Sequence, residues 1–127
     1  LAEVPAGDRP WLYRGRGFLD AGIRLAAGTD APLGDPNPWL AMQAAIDRRT
    51  TGGRTLGEAE SLSPEEALAL FSGEPLAPGG GLNRITIGSP ADLCLLDRPW
   101  SDARRNLAAT RVSATVQRGR LVWQRAR

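Results

Sequence analysis

Apolar positions along this chain follow two different spacings, one before the middle and one after it. Ile23 to Ala27 is a short apolar run interrupted only by Arg24. It predicts a strand of roughly five residues, ended by Gly28. Trp39, Met42 and Ile46 then fall on one stripe at helical spacing. With Asn37 as cap and Pro38 in the first turn, they predict a helix over 38–49, its last turn carrying Arg48 and Arg49. A second helix is predicted by Ser63-Pro64-Glu65-Glu66. Ser63 can cap it, Glu66 can reach back to the cap N–H, and the helix should run through Phe71 to a stop at Gly73. Trp11 to Leu19 mixes aromatic residues with Arg and Gly, and reads as a short helix or an irregular connection. Residues 1–10 read as loop.

Past residue 74 the spacing changes to two. Arg84–Ile87 and Leu93–Leu96 predict short strands, the second of them buried. Val112, Ala114 and Val116 alternate with polar neighbours, and Arg118-Gly119 turns the chain back into Leu121-Val122-Trp123. That is a terminal β-hairpin. The Pro- and Gly-rich stretch 75–81 lacks the Lys-Ser/Thr of a phosphate loop and follows a helix rather than a strand, so it reads as a linker. The expected division is 1–73 and 74–127, and no internal repeat is visible.

The chain has 127 residues, 42% hydrophobic and 24% charged. That is a globular composition, yet too short for a complete eight-unit α/β barrel of about 250 residues. Sixteen basic residues against 14 acidic leave a net charge of +2. The arginines lack interleaved aromatics, which argues against nucleic acid as a partner. No apolar run reaches the roughly 18–20 residues of a membrane span. No leader sequence is visible, so the default location is the cytoplasm, and a first residue that is Leu fits a processed or truncated product. The single cysteine, Cys94, sits among leucines and reads as a small buried hydrophobe.

One segment suggests chemistry. The strand Ile23–Ala27 breaks into Gly28-Thr29-Asp30-Ala31-Pro32. This puts the Asp30 carboxylate at the carboxyl end of a strand, where α/β barrels carry their active sites. A carboxylate there can ligate a cation or take a proton from water. Equally, an Asp in such a turn can satisfy backbone N–H groups. Asp35 reads as a turn or capping residue and Asp97 as a strand-end turn residue. Thr29 and Ser72 have no base placed to activate them. The four tryptophans read as packing residues. The chain contains no histidine, the residue such a carboxylate usually works beside.

Several segments, taken in order, resemble the carboxyl-terminal portion of the metal-dependent amidohydrolases, in the amidohydrolase-3 branch with D-aminoacylase-like and N-substituted formamide deformylase-like enzymes. They are Ala21-Gly22-Ile23 leading to Gly28-Thr29-Asp30-Ala31-Pro32, and Asp35-Pro36 before a helix ending in Arg48-Arg49. Leu62 to Leu68, Ile87 to Leu93, Leu95-Leu96-Asp97 and the hairpin Val112 to Val122 with Gly119 follow. The resemblance covers roughly residues 11–124.

The resemblance implies a (β/α)₈ TIM barrel with an accessory β-sandwich, so this α/β chain is expected to be the end of the barrel over 1–73 and part of the composite domain over 74–127. As an isolated chain it would be α+β. Ile23–Ala27 becomes the eighth barrel strand. Asp30 becomes the aspartate that binds metal or the attacking water and shuttles its proton. Ala31, Pro32 and Leu33 fall beside the substrate. The implied reaction is hydrolysis of amide-type C–N bonds other than peptide bonds, with a divalent metal, expected to be zinc. The family's histidines lie upstream of any residue here. The chain alone is therefore expected neither to hold metal tightly nor to be active. Its expected partner is the N-terminal barrel portion carrying those histidines, or a second copy of itself. A non-catalytic binding or assembly domain, and one chain of a split enzyme, are the alternatives.

Overall fold

A computed structural model describes residues 4–74 and 76–126. The chain forms two compact units, Leu1–Asn83 and Arg84–Arg127. The expectations for residues 1–3 and Pro75 lie outside the described residues.

In the first unit, a 3-10 turn at Arg9–Trp11 precedes helix α1 (Gly15–Asp20). Helix α2 is Pro38–Asp47, with the Asn37 side chain accepting the Trp39 N–H. Helix α3 is Pro64–Ala69, and its capping box is complete. Glu66 N–H donates to Ser63 Oγ, and the Glu66 carboxylate accepts the Ser63 N–H. Both starts follow from the sequence, because a Ser or Asn cap with Pro behind it satisfies the first turn's orphan donors. α2 and α3 pack together, and Met42, Leu62 and Ala67 form the buried core. Trp39 and Ile46, on the Met42 stripe, are only half-buried.

Both helix ends differ from expectation. α2 stops at Asp47, and Arg48 is its left-handed C-cap at φ 53° rather than a last-turn residue. α3 stops at Ala69 with Leu70 as cap, so Gly73 is not its terminator. The Ile23–Ala27 run is not a strand. It carries no ladder among the described residues, and Ala27 N–H donates to Leu70 O. A strand needs a neighbour to pair with, and the described residues supply none beside it.

In the second unit, β1 (Leu93–Leu96), β2 (Val112–Gln117) and β3 (Arg120–Gln124) form an antiparallel sheet in the order β1-β2-β3. Cys94 pairs with Thr115 and Gln117 with Arg120. Arg118 and Gly119 both have positive φ, the conformation a two-residue hairpin turn demands. Asp92 secures that turn, since its carboxylate accepts the Arg118 N–H at 2.7 Å and Ala91 O accepts that of Gly119. Between β1 and β2 the chain forms α4 (Trp100–Ala103) and a 3-10 turn at Leu107–Ala109, neither of which the apolar pattern predicted. Ala103, Leu107, Thr110 and Ala114 are buried.

Arg84–Ile87, expected as a strand, is irregular and exposed. β1 forms as expected but is exposed along most of its length, and so is Cys94. A three-stranded sheet has two faces and little to cover them, so apolar spacing fixed the strand without burying it. The described chain is therefore a mixed structure of helices and one small antiparallel sheet. No helix among the described residues is long and apolar enough to cross a membrane.

Candidate active site

The candidate site begins where the extended segment Ile23–Gly28 turns over. Asp30 takes the left-handed conformation at φ 57°, and the Ala31–Pro32 peptide is cis. Aspartate tolerates that backbone region better than most residues. Main chain closes the turn, as the Gly34 N–H donates to Asp30 O at 2.9 Å. At Gly34 the chain passes close to itself. A Cβ there would lie 2.1 Å from Thr29 O.

The Asp30 side chain is exposed and has no hydrogen-bond partner among the described residues. Its carboxylate is therefore not what holds the turn together. Ala31, Pro32 and Leu33 follow it on the surface, and Leu33 is 89% exposed. Thr29, just before Asp30, is half-buried.

The other sequence candidates have structural work. Asp35 Oδ1 accepts the Asn37 N–H at 2.8 Å, as a turn residue leading into α2 does. Asp97 ends β1. Its two oxygens accept from the Arg98 guanidinium at 3.0 and 2.9 Å, and one also accepts the Arg111 N–H. The Arg98 guanidinium, foremost, holds the Asp97 carboxyl down at about 2. Ser72 Oγ donates back to Leu68 O. Trp11 is exposed and lies under the Arg14 guanidinium, 5.0 Å from its ring centre.

Adjoining this segment is a cleft of about 500 Å³ lined by Ala27, Gly28, Tyr13, Ala44, Leu56 and Phe71 among others. Arg48 stands in its wall and is the residue the apolar pattern missed. It is buried, and its guanidinium donates to Leu56 O at 2.9 Å, Gly57 O at 3.3 Å and Leu12 O at 3.2 Å. Burial pushes its pKa down. The sequence signal was faint: α2 ends without a glycine, and Arg48 takes the left-handed cap that a glycine often fills.

Asp30 is the one carboxylate on the turn 28–33, and the chain has no histidine. Among the described residues no three His, Cys, Asp or Glu side chains come together. These residues do not by themselves fit a catalytic zinc, which takes about three protein ligands.

A free carboxylate on a turn that main chain closes is a candidate acid–base site. Comparison with known proteins gives the chain, as a whole, a lineage. The model of the Amidohydrolase family matches residues 4–123. An N-substituted formamide deformylase from Arthrobacter pascens is 34% identical over 118 residues, which is 90% of this chain and 22% of the relative. The putative amidohydrolase YtcJ of Bacillus subtilis (strain 168) is 25% identical over 140 residues, 95% of this chain and 26% of the relative. No solved structure matches the chain. The chain belongs to the amidohydrolase family, and it spans 22% and 26% of the length of these two relatives.

Proposed function

We propose that this chain is the portion of a hydrolase that supplies the last barrel strand, Ile23–Ala27, the Asp30 carboxylate at its end, and the carboxyl-terminal share of an accessory β-sandwich. The reaction is hydrolysis of an amide-type C–N bond other than a peptide bond. Family membership supports this reading, and so does the relative named an N-substituted formamide deformylase, since a formamide C–N bond is of that type. The observation that carries it is the Asp30 carboxylate, exposed, without a partner, and not needed to close its own turn.

In this role Asp30 accepts a proton from the attacking water as the new C–O bond forms. It returns that proton to the leaving nitrogen as the C–N bond breaks. Proton transfer by a placed carboxylate contributes about 10²–10⁴-fold to a rate. Ala31, Pro32 and Leu33 stand beside the substrate, Leu33 as an apolar wall. A divalent metal, zinc by the family resemblance, would need donors from outside this chain, with Asp30 contributing one ligand at most. Those donors belong to the N-terminal barrel portion, in the same polypeptide or in a separate one. The extended Ile23–Ala27 segment, with no ladder among the described residues, fits insertion between strands from that portion.

The test is amide hydrolysis by the completed barrel, comparing Asp30→Asn with the parent. Asn keeps the shape and the left-handed tolerance but cannot take the proton. The expected result is a fall in kcat of about 10³-fold with KM little changed. A second reading, a binding or assembly domain on the same scaffold, is favoured by the absence of any histidine in the sequence. Unchanged kcat in Asp30→Asn removes Asp30 from the chemistry and favours that reading instead.

A further inference from the structure

Arg48 is a buried cation that no anion meets. It is 8% exposed. Its Nε and Nη2 donate to the carbonyls of Leu56, Gly57 and Leu12. Those acceptors are neutral, so they satisfy the donors without cancelling the charge. Glu60 attracts the guanidinium from a distance, but its own oxygens already accept from Arg14 Nε at 3.3 Å and the Gly17 N–H at 2.8 Å. The third nitrogen, Nη1, has no hydrogen-bond partner among the described residues. Nor does any sealed side-chain nitrogen or oxygen among them lack a partner, so Nη1 is open to solvent. The opening is the cleft whose wall Arg48 forms. A cation removed from water in this way is costly until an anion pairs with it.

The rest of the cleft wall limits what that anion can be. Ala41, Ala44, Ala45, Leu56, Leu70 and Phe71 make most of it apolar. Arg49 stands next to Arg48 in the wall, exposed and with no ion pair among the described residues. Tyr13, Thr50 and Thr51 add hydroxyls, and no Asp or Glu lines the cleft. The volume of about 500 Å³ lies within the range of small-ligand pockets. Such pockets are mostly apolar, with a few polar groups converging on one end of the ligand.

A free phosphate would answer the charge and leave the apolar wall wet. A neutral hydrocarbon would fill the wall and leave Arg48 unpaired. We infer that this cleft binds a small organic carboxylate, with its hydrocarbon part against the alanines, Leu56 and Phe71 and its two oxygens on Arg48 Nη1 and Arg49. Charge-assisted hydrogen bonds to guanidinium supply the selectivity, and apolar burial supplies the rest of the affinity. None of the lining residues belongs to the turn 29–33. The inference therefore stands apart from any role for Asp30, and either can fail without the other.

The experiment titrates the full chain with hexanoate, with hexanamide as its neutral isostere and with inorganic phosphate, following backbone amide and arginine Nε–H shifts by NMR. The expected result is saturable binding of hexanoate with a Kd on the order of 1 mM. It should be at least about tenfold tighter than hexanamide and weaken as salt rises. The shifts should centre on the Arg48 Nε–H and the amides of Ala44, Arg49 and Thr50. Arg49→Gln should weaken binding about threefold, and Arg48→Gln should remove the preference for hexanoate over hexanamide. Arg48 also holds main chain, so Ala44→Phe gives a second test. Ala44 is an exposed residue of α2 that lines the cleft, and phenylalanine there should fill the cleft and abolish binding while amide shifts elsewhere stay native. Equal affinity for hexanoate and hexanamide overturns the inference. So does binding that survives Ala44→Phe, phosphate that binds as tightly as hexanoate, or no saturable shift up to about 20 mM. Loss of hexanoate binding once the N-terminal barrel portion is added overturns it in favour of a carboxylate side chain from that portion.

Discussion

At the scale of single residues, Arg48 and Asp30 show opposite uses of a charged side chain on the same backbone conformation. Both have a positive φ. Asp30 turns its carboxylate out to solvent, whereas Arg48 buries its guanidinium against three main-chain oxygens. Arg48→Ala removes that donor set from the part-buried carbonyls of Leu12, Leu56 and Gly57. It should cost on the order of 3 kcal/mol in urea unfolding. Arg48→Gly loses the same hydrogen bonds but relieves the left-handed cap. It should be less destabilised than the alanine variant by about 1 kcal/mol. Equal stability of all three proteins would show that the guanidinium holds nothing. Nothing in the apolar pattern marks Arg48, because the carbonyls it serves are 8 to 36 residues away. Asp30 was legible by contrast, since a break from an apolar run into Gly-Thr-Asp-Ala-Pro is a local event.

At the scale of elements, the capped starts of α2 and α3 were readable, and so were β1 and the terminal hairpin, whereas Ile23–Ala27 and Arg84–Ile87 were read as strands and are not. Asn37-Pro38 and the Ser63–Glu66 box act within one turn, so their sequence determines them. Ile23–Ala27 and Arg84–Ile87 have strand-like composition, but pairing is a property of neighbours. The hairpin over β2 and β3 was legible because its neighbour lies two residues away. The α3 cap also makes the fold sensitive to acid. The Arg16 guanidinium, with Ser63 N–H behind it, holds the Glu66 carboxyl at about 2 against an ordinary 4.5. A carboxyl depressed by folding stabilises fully above its unfolded value, and the contribution is lost as pH falls through the folded one. Stability should therefore decline between about pH 4.5 and pH 2. Glu66→Gln should flatten that decline while lowering stability at pH 7. Ser63→Ala should cost about 1 kcal/mol at neutral pH. Thermal melts across pH 2–7 decide it, and a Glu66→Gln profile parallel to that of the parent would remove Glu66 from the account.

At the scale of the whole chain, few large apolar side chains among the described residues are buried and many are not. The buried apolar set is Met42, Leu62, Ala67, Ala103, Leu107 and Ala114. Ile23, Leu33, Ile85, Ile87, Leu95 and Leu121 are exposed. Exposed apolar surface on this scale marks docking surfaces, which is what a chain spanning 22% and 26% of its relatives' length would offer if it works as part of a larger hydrolase. If the chain works with the proposed N-terminal barrel portion, the same reasoning makes metal binding a property of the two together. A zinc site takes about three ligands and gains most of its affinity from all of them together. Asp30 offers one carboxylate. Calorimetric titration of zinc into this chain should therefore show no saturable site tighter than about 100 µM, and Asp30→Asn should not change the trace. Adding the polypeptide that completes the barrel should create a tight site that chelators empty, and Asp30→Asn should weaken it or abolish its activity. Tight stoichiometric zinc on the chain alone would mean that residues other than the Asp30 turn form a complete site. The proposed division of labour between this chain and an N-terminal barrel portion would then have to be redrawn around those residues.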